Sequence, residues 1–517
     1  MLSQQILDGL DDDAALERIG QLTDLAGDRK HVEGLHAALA MCEQLEGRDP
    51  DEKVTALAGY FRANAWASLG QIRHEADGAD AVWSWEQPEA EEQILALRSV
   101  LHGPGFGQLD AVPGCQVLTN LGNVLNAAGR FVEALELWDA AMALVPEFWM
   151  AQGNRGMALT HYARALHDPG DREVFLLFAH RDLVAAAASS RREEALGEPS
   201  AAAAFARRRH DIEARVDVAA VALRFRPDDA ALGKAAPDRA YRTWCHRKRL
   251  FLNPLNDLSA NAAGAADLLS LPDFVAPVLQ PPVLTGFFNQ LKQEFASARW
   301  QYYLGTTAEG PHFSDRELLL HDTLDYPAYG LAMEQVKTAF RTAYSLLDKI
   351  AYFVNHYFAL GIAPHRVSFR SVWQQNDGRG TQPVRERFRT SENWPLRGLF
   401  WLSKDIFDEA QSASTEPDAR SVHELRDHLE HRYVKVHLLM PDRTHEGACP
   451  DPFRDTLAYS VSRQSLDART LRLLKTVRAA LIYLALAMGR EEERRGASRG
   501  KGPVLPIFLD RWHDGRP

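Results

Sequence analysis

The stretch from Leu118 to Pro146 limits the choice of fold more than any other. Leu118, Leu121, Gly122 and Leu125 recur at helical spacing, and Ala134, Trp138 and Ala141 repeat it after a turn at Asn126-Ala-Ala-Gly129-Arg130. Gly122 and Ala134 are small enough to let two helices approach closely. Leu121, Leu125 and Trp138 are large enough to fill the groove between them. Pro146 cannot continue the second helix and so ends it. A hairpin of this kind cannot bury its own hydrophobic face, so neighbours of similar shape are required. The pattern therefore predicts a stacked all-α array.

These small and large positions resemble a tetratricopeptide repeat almost one for one. Trp149, Gly156 and Leu159 begin a further unit that decays at Asp168-Pro-Gly170, and Val32–Leu45 with Val54–Leu69 resembles a degenerate pair. The resemblance implies a TPR-like helical repeat region over residues 1–226, with an unidentified protein or ligand as its partner. Within it, Ala185–Ala188 and Ala201–Ala204 predict two alanine-rich helices around a break at Arg191–Glu198. The basic run Arg207-Arg208-Arg209-His210 reads as a solvated helix face before it reads as an RNA contact.

A chain of 517 residues exceeds what one core needs, so two or three domains are expected. With 46% hydrophobic and 25% charged residues the composition is that of a folded protein. A net charge of -11 excludes a broad basic surface, so any RNA contact must come from a local basic cleft. Cys42, Cys115, Cys245 and Cys449 lie far apart and form no C-x-x-C pair, which fits a reducing cytoplasm. The start of the chain, with Asp11-Asp12-Asp13, lacks a signal-peptide pattern. The apolar run Ala479–Met488 falls short of the roughly 20 residues that span a bilayer and reads as a buried helix. A cytoplasmic protein with no membrane contact is expected.

Pro227–Pro237 is a turn-rich break. Trp244, Phe251 and Asn253-Pro254-Leu255-Asn256 then predict an ordered connector over 227–282, closed by the proline-rich Pro272–Pro282. Residues 283–517 read as a second helical unit. Phe287, Leu291, Phe295, Ala298 and Tyr302 form one stripe. Val336, Phe340, Ala343, Leu347, Ile350 and Val354 form another on a long helix over Ala328–Gly361. A polar insertion spans Ile362–Trp394, a short apolar element Leu396–Leu402, a helical run Ser421–Leu439 and a last long helix Asp467–Arg490. Four main helices with a long insertion predict a bundle.

The run Ser421–Leu439 contains Arg426-Asp427-His428-Leu429-Glu430-His431, an Arg-x4-His motif. RNA is cleaved without metal when its own 2'-hydroxyl attacks the neighbouring phosphate. That reaction needs a base, an acid and a cation at the crowded phosphate. Histidine titrates near neutrality, and arginine stays charged and grips phosphate bidentately. Five residues of helix turn roughly 140° and rise about 7.5 Å, so Arg426 and His431 do not stack and one copy makes an incomplete site. Two copies across a two-fold axis would complete it. Asp427 lies four before His431 on the same side and is placed to orient it. With 19 histidines the loose pattern arises about once or twice by chance. Arg316–His321 and Arg432–His437 also match, but only Arg426–His431 has polar, polar, apolar, polar between its ends.

Arg426-Asp-His-Leu-Glu-His-Arg-Tyr433 resembles the active-site signature of the HEPN superfamily of four-helix bundles, and Ala343-Tyr-Ser-Leu-Leu-Asp-Lys-Ile-Ala351 resembles the long helix of a bacterial HEPN branch fused to tetratricopeptide repeats. The resemblance covers about residues 283 to 495. It implies a metal-independent endoribonuclease acting as a homodimer in toxin–antitoxin or phage-defence systems. Arg426 and His431 would be catalytic and Asp427 supporting. In one toxin–antitoxin branch the tyrosine two places after the histidine is adenylylated, the place of Tyr433 here; a tyrosine packing on the core is the plainer reading.

Other constellations compete with this one. His423, Asp427 and His431 share one helix face and could ligate a metal, but no fourth ligand is evident. Arg366, Arg370, Arg379, Arg385, Arg387 and Arg389 interleave with Phe369, Trp373 and Phe388 in the insertion. Basic and aromatic residues so mixed suit single-stranded RNA, with Arg366, Arg370 and Trp373 as substrate-binding candidates against a plain polar loop. No P-loop sequence is present, and neither cofactor nor metal is expected. The expected whole is an all-α protein with an N-terminal TPR-like array and a C-terminal HEPN-like bundle carrying a long insertion. Its alternative function is a non-enzymatic interaction scaffold or RNA-binding protein.

Overall fold

Asp11 and Asp51 each cap a helix, accepting from the backbone N–H three residues on at 2.9 and 2.8 Å. They open α1 (Asp12–Asp28) and, after α2 (Val32–Glu46), α3 (Glu52–Asp77). The computed structural model describes residues 7–190, 199–225, 232–258, 262–277, 280–321, 323–375, 383–415, 419–438, 455, 457–499 and 505–510. The break expected at Arg191–Glu198, Arg379, Leu439 and Cys449 lie outside them. Next come α4 (Pro88–His102), α5 (Ala111–Ala127), α6 (Phe131–Leu144), α7 (Trp149–Ala165), α8 (Pro169–Ser190), α9 (Pro199–Glu213), α10 (Val218–Arg224) and α11 (Ala236–Arg247). From α1 to α9 each helix packs on its sequence neighbour.

The α5–α6 pair shows why its spacing works. A side chain at Gly122 would stand 2.8 Å from Trp138 Nε1, so only glycine lets the indole lie against α5. Leu118, Leu121, Leu125, Ala134, Trp138 and Ala141 are all buried. Gly129 turns the chain at φ +96°, a conformation that favours glycine. Gly156 repeats the device, with Leu183 of α8 where a side chain would go.

The connector is a wedge of buried polar groups. Asn253, Asn256 and Asp257 are each at most 2% exposed. Asp257 accepts from Tyr162 Oη of α7 at 3.0 Å and from Arg478 Nη1 at 2.6 Å. Asn256 accepts from Phe251 N and donates to His246 O, which satisfies the turn.

The C-terminal elements are α12 (Val283–Thr307), α13 (Leu331–Tyr357), α14 (Glu386–Arg389), α15 (Trp394–Phe407), α16 (Glu409–Ala413), α17 (Ala419–His431) and α18 (Arg463–Ser498). The α12 and α13 stripes face each other and α18. Ala479–Met488 is buried on every side, so this apolar run is the central helix of the unit. Among the described residues no helix is long and apolar enough to cross a membrane. Among the described residues the fold is all-α but for one small sheet.

That sheet corrects the expected helix through Leu439. After His431 the chain turns extended, and β1 (Tyr433–His437) pairs in parallel with β2 (Ala458–Ser462). Val434 and Val436 favour a strand, and both are buried. Lys435, 4% exposed, is held between Asp325 (2.7 Å) and Asp455 (3.1 Å).

The insertion brings a second correction. Trp373 is fully buried, as are Phe369 and Phe388. Trp373 packs among Trp85, Phe369, Phe388 and Phe400 at centroid separations of 5.6 to 6.4 Å. It is a core residue joining the insertion to the array, and no base can stack on it.

One hydrophobic cluster runs through residues expected in all three segments. Within it Asp405 of α15 accepts from Arg98 of α4 (2.8 Å) and forms an ion pair with Arg130 at the start of α6 (2.6 Å). Tyr483 Oη donates to Glu133 at 2.7 Å and accepts from Val132 N. Gly129 and Gly398 touch backbone to backbone, leaving no room for a side chain on either.

Three variants test this arrangement. Asp405→Ala leaves two buried guanidiniums facing each other and lowers stability by about 3–5 kcal/mol in urea unfolding. Burial works to raise the Asp405 pKa, but Arg130 and Arg98 outweigh it and hold it at about 2. A folded pKa below the ordinary 3.8 means the contribution is complete above pH 3.8 and lost as pH falls through about 2; Asp405→Ala flattens stability in that window. Gly129→Ala costs roughly 1–3 kcal/mol from the backbone strain alone, read as a lower melting temperature. Trp373→Ala costs about 3–5 kcal/mol as a core truncation, read in urea unfolding.

Candidate functional site

The motif helix is amphipathic, with Val422, Leu425 and Leu429 turned to the core. That anchoring rotates Arg426 and Glu430 toward α13. His428 is turned to the other side, its ring 5.1 Å from Tyr459 of β2. His431 closes the helix and is exposed, and Tyr433, 39% exposed, follows on β1.

Arg426 lines an open cleft of about 480 Å³ between α12, α13 and α17. Its guanidinium lies 5.5 Å from the centre of the Tyr344 ring and donates to Asp427 at 3.0 Å. The side chain is 33% exposed, so it is steered but still within reach of a ligand. Tyr344 Oη and His423 Nδ1 are 3.0 Å apart, which ties α17 to the middle of α13. Burial, with the Asp348 carboxylate adding to it, keeps the Tyr344 phenol protonated well above the usual range.

Asp427 sits between His423 and His431, four residues either way. Partial burial works to raise its pKa, but the hydrogen bond from Arg426 and the pull of His423, Arg426 and His431 hold it below the ordinary carboxylate value. It is therefore ionised at neutral pH beside both imidazoles. Arg426 and Asp427 come together. His431 does not line the Arg426 cleft but stands round the helix from it, as 140° of rotation requires. His423, Asp427 and His431 form no metal cluster; among the described residues no three such side chains converge on one.

Arg366 and Arg370 are exposed on a loop that abuts the same cleft, since Val367 lines it and Phe369 N donates to Asp348 at 2.9 Å. Arg385 donates to Val372 O, Arg387 lies over Phe358, and Arg389 pairs with Glu386. Arg316 and His321 are exposed outside any helix, and Arg432 is exposed whereas His437 is buried. Arg208 and Arg209 pair along their own helix with Asp211 (3.6 Å) and Glu213 (3.5 Å), and both side chains are largely buried, so they do not form the solvated face that the run suggests.

The cleft also holds residues that the apolar pattern of α13 does not single out. Arg341, Tyr344, Ser345, Asp348, Lys349 and Tyr352 recur at i, i+3, i+4, i+7, i+8 and i+11, a polar stripe beside the buried one. The signal is present in the sequence as that periodicity, but without a partner helix it reads as solvated surface.

No curated protein and no solved structure matches the chain. Residues 277–491 match the family model described as LA2681-like HEPN, a segment that takes in α12 to α17, both strands and most of α18. Over that segment the chain is similar to the LA2681-like HEPN family.

Proposed function

We propose that the protein is a metal-independent endoribonuclease, a toxin-like or phage-defence effector regulated through its TPR-like region. The observation that carries this reading is Arg426, a cation steered into an open cleft by Tyr344 and by Asp427, which lies four residues before His431 on the same helix. HEPN domains are often ribonucleases or toxin-like, which agrees with it. In the reaction a base takes the 2'-hydroxyl proton and the 2'-oxygen attacks phosphorus. The bond to the 5'-oxygen breaks and an acid returns a proton to it, leaving a 2',3'-cyclic phosphate and a 5'-hydroxyl. His431 serves as acid or base, and Arg426 carries the phosphate charge. One chain offers one exposed His431, with His428 turned against Tyr459, so a homodimer with two motifs in one cleft completes the site. Arg366 and Arg370 extend the contact along the RNA backbone.

The alternative is a non-enzymatic scaffold, and the separation of His431 from the cleft favours it. Purified protein incubated with RNA in the presence of a chelator decides between them. His431→Ala is expected to lower the cleavage rate by about 100- to 10,000-fold with an unchanged circular dichroism spectrum. Arg426→Ala loses a charged phosphate contact and falls comparably. An uncut RNA, or a His431→Ala protein as active as the parent, rejects the ribonuclease reading in favour of the scaffold.

A further inference from the structure

The polar stripe of α13 gives the Arg426 cleft a chemistry beyond the motif. At one end Tyr352 is 42% exposed, with the Phe287 ring of α12 6.1 Å away and steeply tilted to it. At the other end Arg426 reaches in from α17 and Arg341 from α13. Asp348 and Glu430 line the wall between them.

The cleft carries both signs of charge, with Arg341, Lys349 and Arg426 lining it beside Asp348 and Glu430. Lys349 is paired with Glu294 at 2.7 Å, and Arg426 with Asp427. Arg341 has no carboxylate partner among the described residues. At the Arg341–Arg426 end a guanidinium without a carboxylate partner offers a local contact for a phosphate, while Asp348 and Glu430 keep the rest of the wall acidic. The volume of about 480 Å³ falls within the range of about 300–1,000 Å³ that small-ligand sites occupy. It admits a nucleotide but not a duplex.

We infer that this cleft holds one nucleotide of the RNA strand, its base against Tyr352 and Phe287 and its phosphate against Arg426 and Arg341. The eight residues from Tyr344, where Arg426 lies, to Tyr352 span about 12 Å of helix, and side chains reach inward from both ends. Aromatic rings stack on any base, and the two guanidiniums grip phosphate by paired hydrogen bonds. Asp348, fixed by Phe369 N, and Glu430 accept from ribose hydroxyls or base amino groups. Tyr352 and Arg341 are thus substrate-binding residues of the proposed ribonuclease, and RNA as the ligand rests on that reading.

The test titrates the four ribonucleoside 3'-monophosphates, and inorganic phosphate, into the His431→Ala protein by calorimetry. Tyr352→Ala is expected to weaken nucleotide binding by about 5- to 100-fold, the worth of one stacked base, and to leave phosphate binding unchanged. Arg341→Gln weakens both. With His431 present, Tyr352→Ala raises KM for a short oligoribonucleotide far more than it lowers kcat. Tyr352 is exposed, so its variant folds, and circular dichroism checks this. Phosphate binding as tightly as the nucleotides, or Tyr352→Ala and Arg341→Gln leaving both affinity and KM unchanged, overturns the inference even where RNA is cut. Nucleotides bound through Tyr352 by a protein that cuts no RNA uphold the pocket and reject the ribonuclease.

Discussion

Asp405 locks the C-terminal helices onto the array. Two arginines from the array, Arg98 and Arg130, share its carboxylate in a site where all three are almost wholly buried. Such a cluster adds little net stability over an apolar one, because desolvating the charges offsets most of their attraction. It does fix geometry: any shift of α15 along the array strands a charge. Arg98 also donates to Gln411 of α16 at 3.3 Å, and Gln411 in turn donates to Glu91 O of α4. The array therefore sets both helices that lead into α17, and Phe407 meets His423 of α17 ring to ring at 6.3 Å. Arg426 and Asp427 sit at the end of a rigid chain of contacts that begins in the array.

The contact between the two parts is as tight as a core. The Gly129–Gly398 approach, the Tyr483 hydroxyl on α6 and the Arg478–Asp257–Tyr162 chain all need backbones in register to within a fraction of an ångström. Relative motion of the array would break several buried polar contacts at once. On the proposed reading, regulation through the array would act by shifting packed helices slightly or by blocking the cleft, since hinging at a flexible linker would forfeit this interface.

The sequence shows what is local and hides what is distant. Gly122, Trp138 and Gly129 encode a hairpin within one stretch of chain, and the hairpin forms as read. The start of α17 is legible, but its end is not: the charged His431-Arg432 pair continues the helical pattern, while the strand from Tyr433 exists because a partner some 25 residues on lies beside it. Trp373 stands among arginines and so reads as an RNA platform, yet Trp85, from the far end of the chain, covers it. The polar stripe of α13 acquires meaning only when α17 closes over it. In each case the missing information is a contact between residues far apart in sequence, which neither composition nor periodicity carries.

Helix geometry survives this comparison as the firmest constraint on mechanism. Arg426 and His431 are held about 140° apart on one short helix whose apolar face is locked into the bundle, so neither can turn toward the other without unseating Leu425 and Leu429. A strand seated in the Arg426 cleft presents its phosphate to one face of α17, and the imidazole of the same chain looks out from the next. On the ribonuclease reading, the proton-transfer group must come to that phosphate from outside the cleft. His431 of the same chain meets it only if the RNA wraps round the end of α17; His431 of a second copy meets it head on if the two motif helices face each other across a two-fold axis. The second path needs no movement of α17, and it agrees with the exposure of His431 and with the rigidity that the buried array contacts impose.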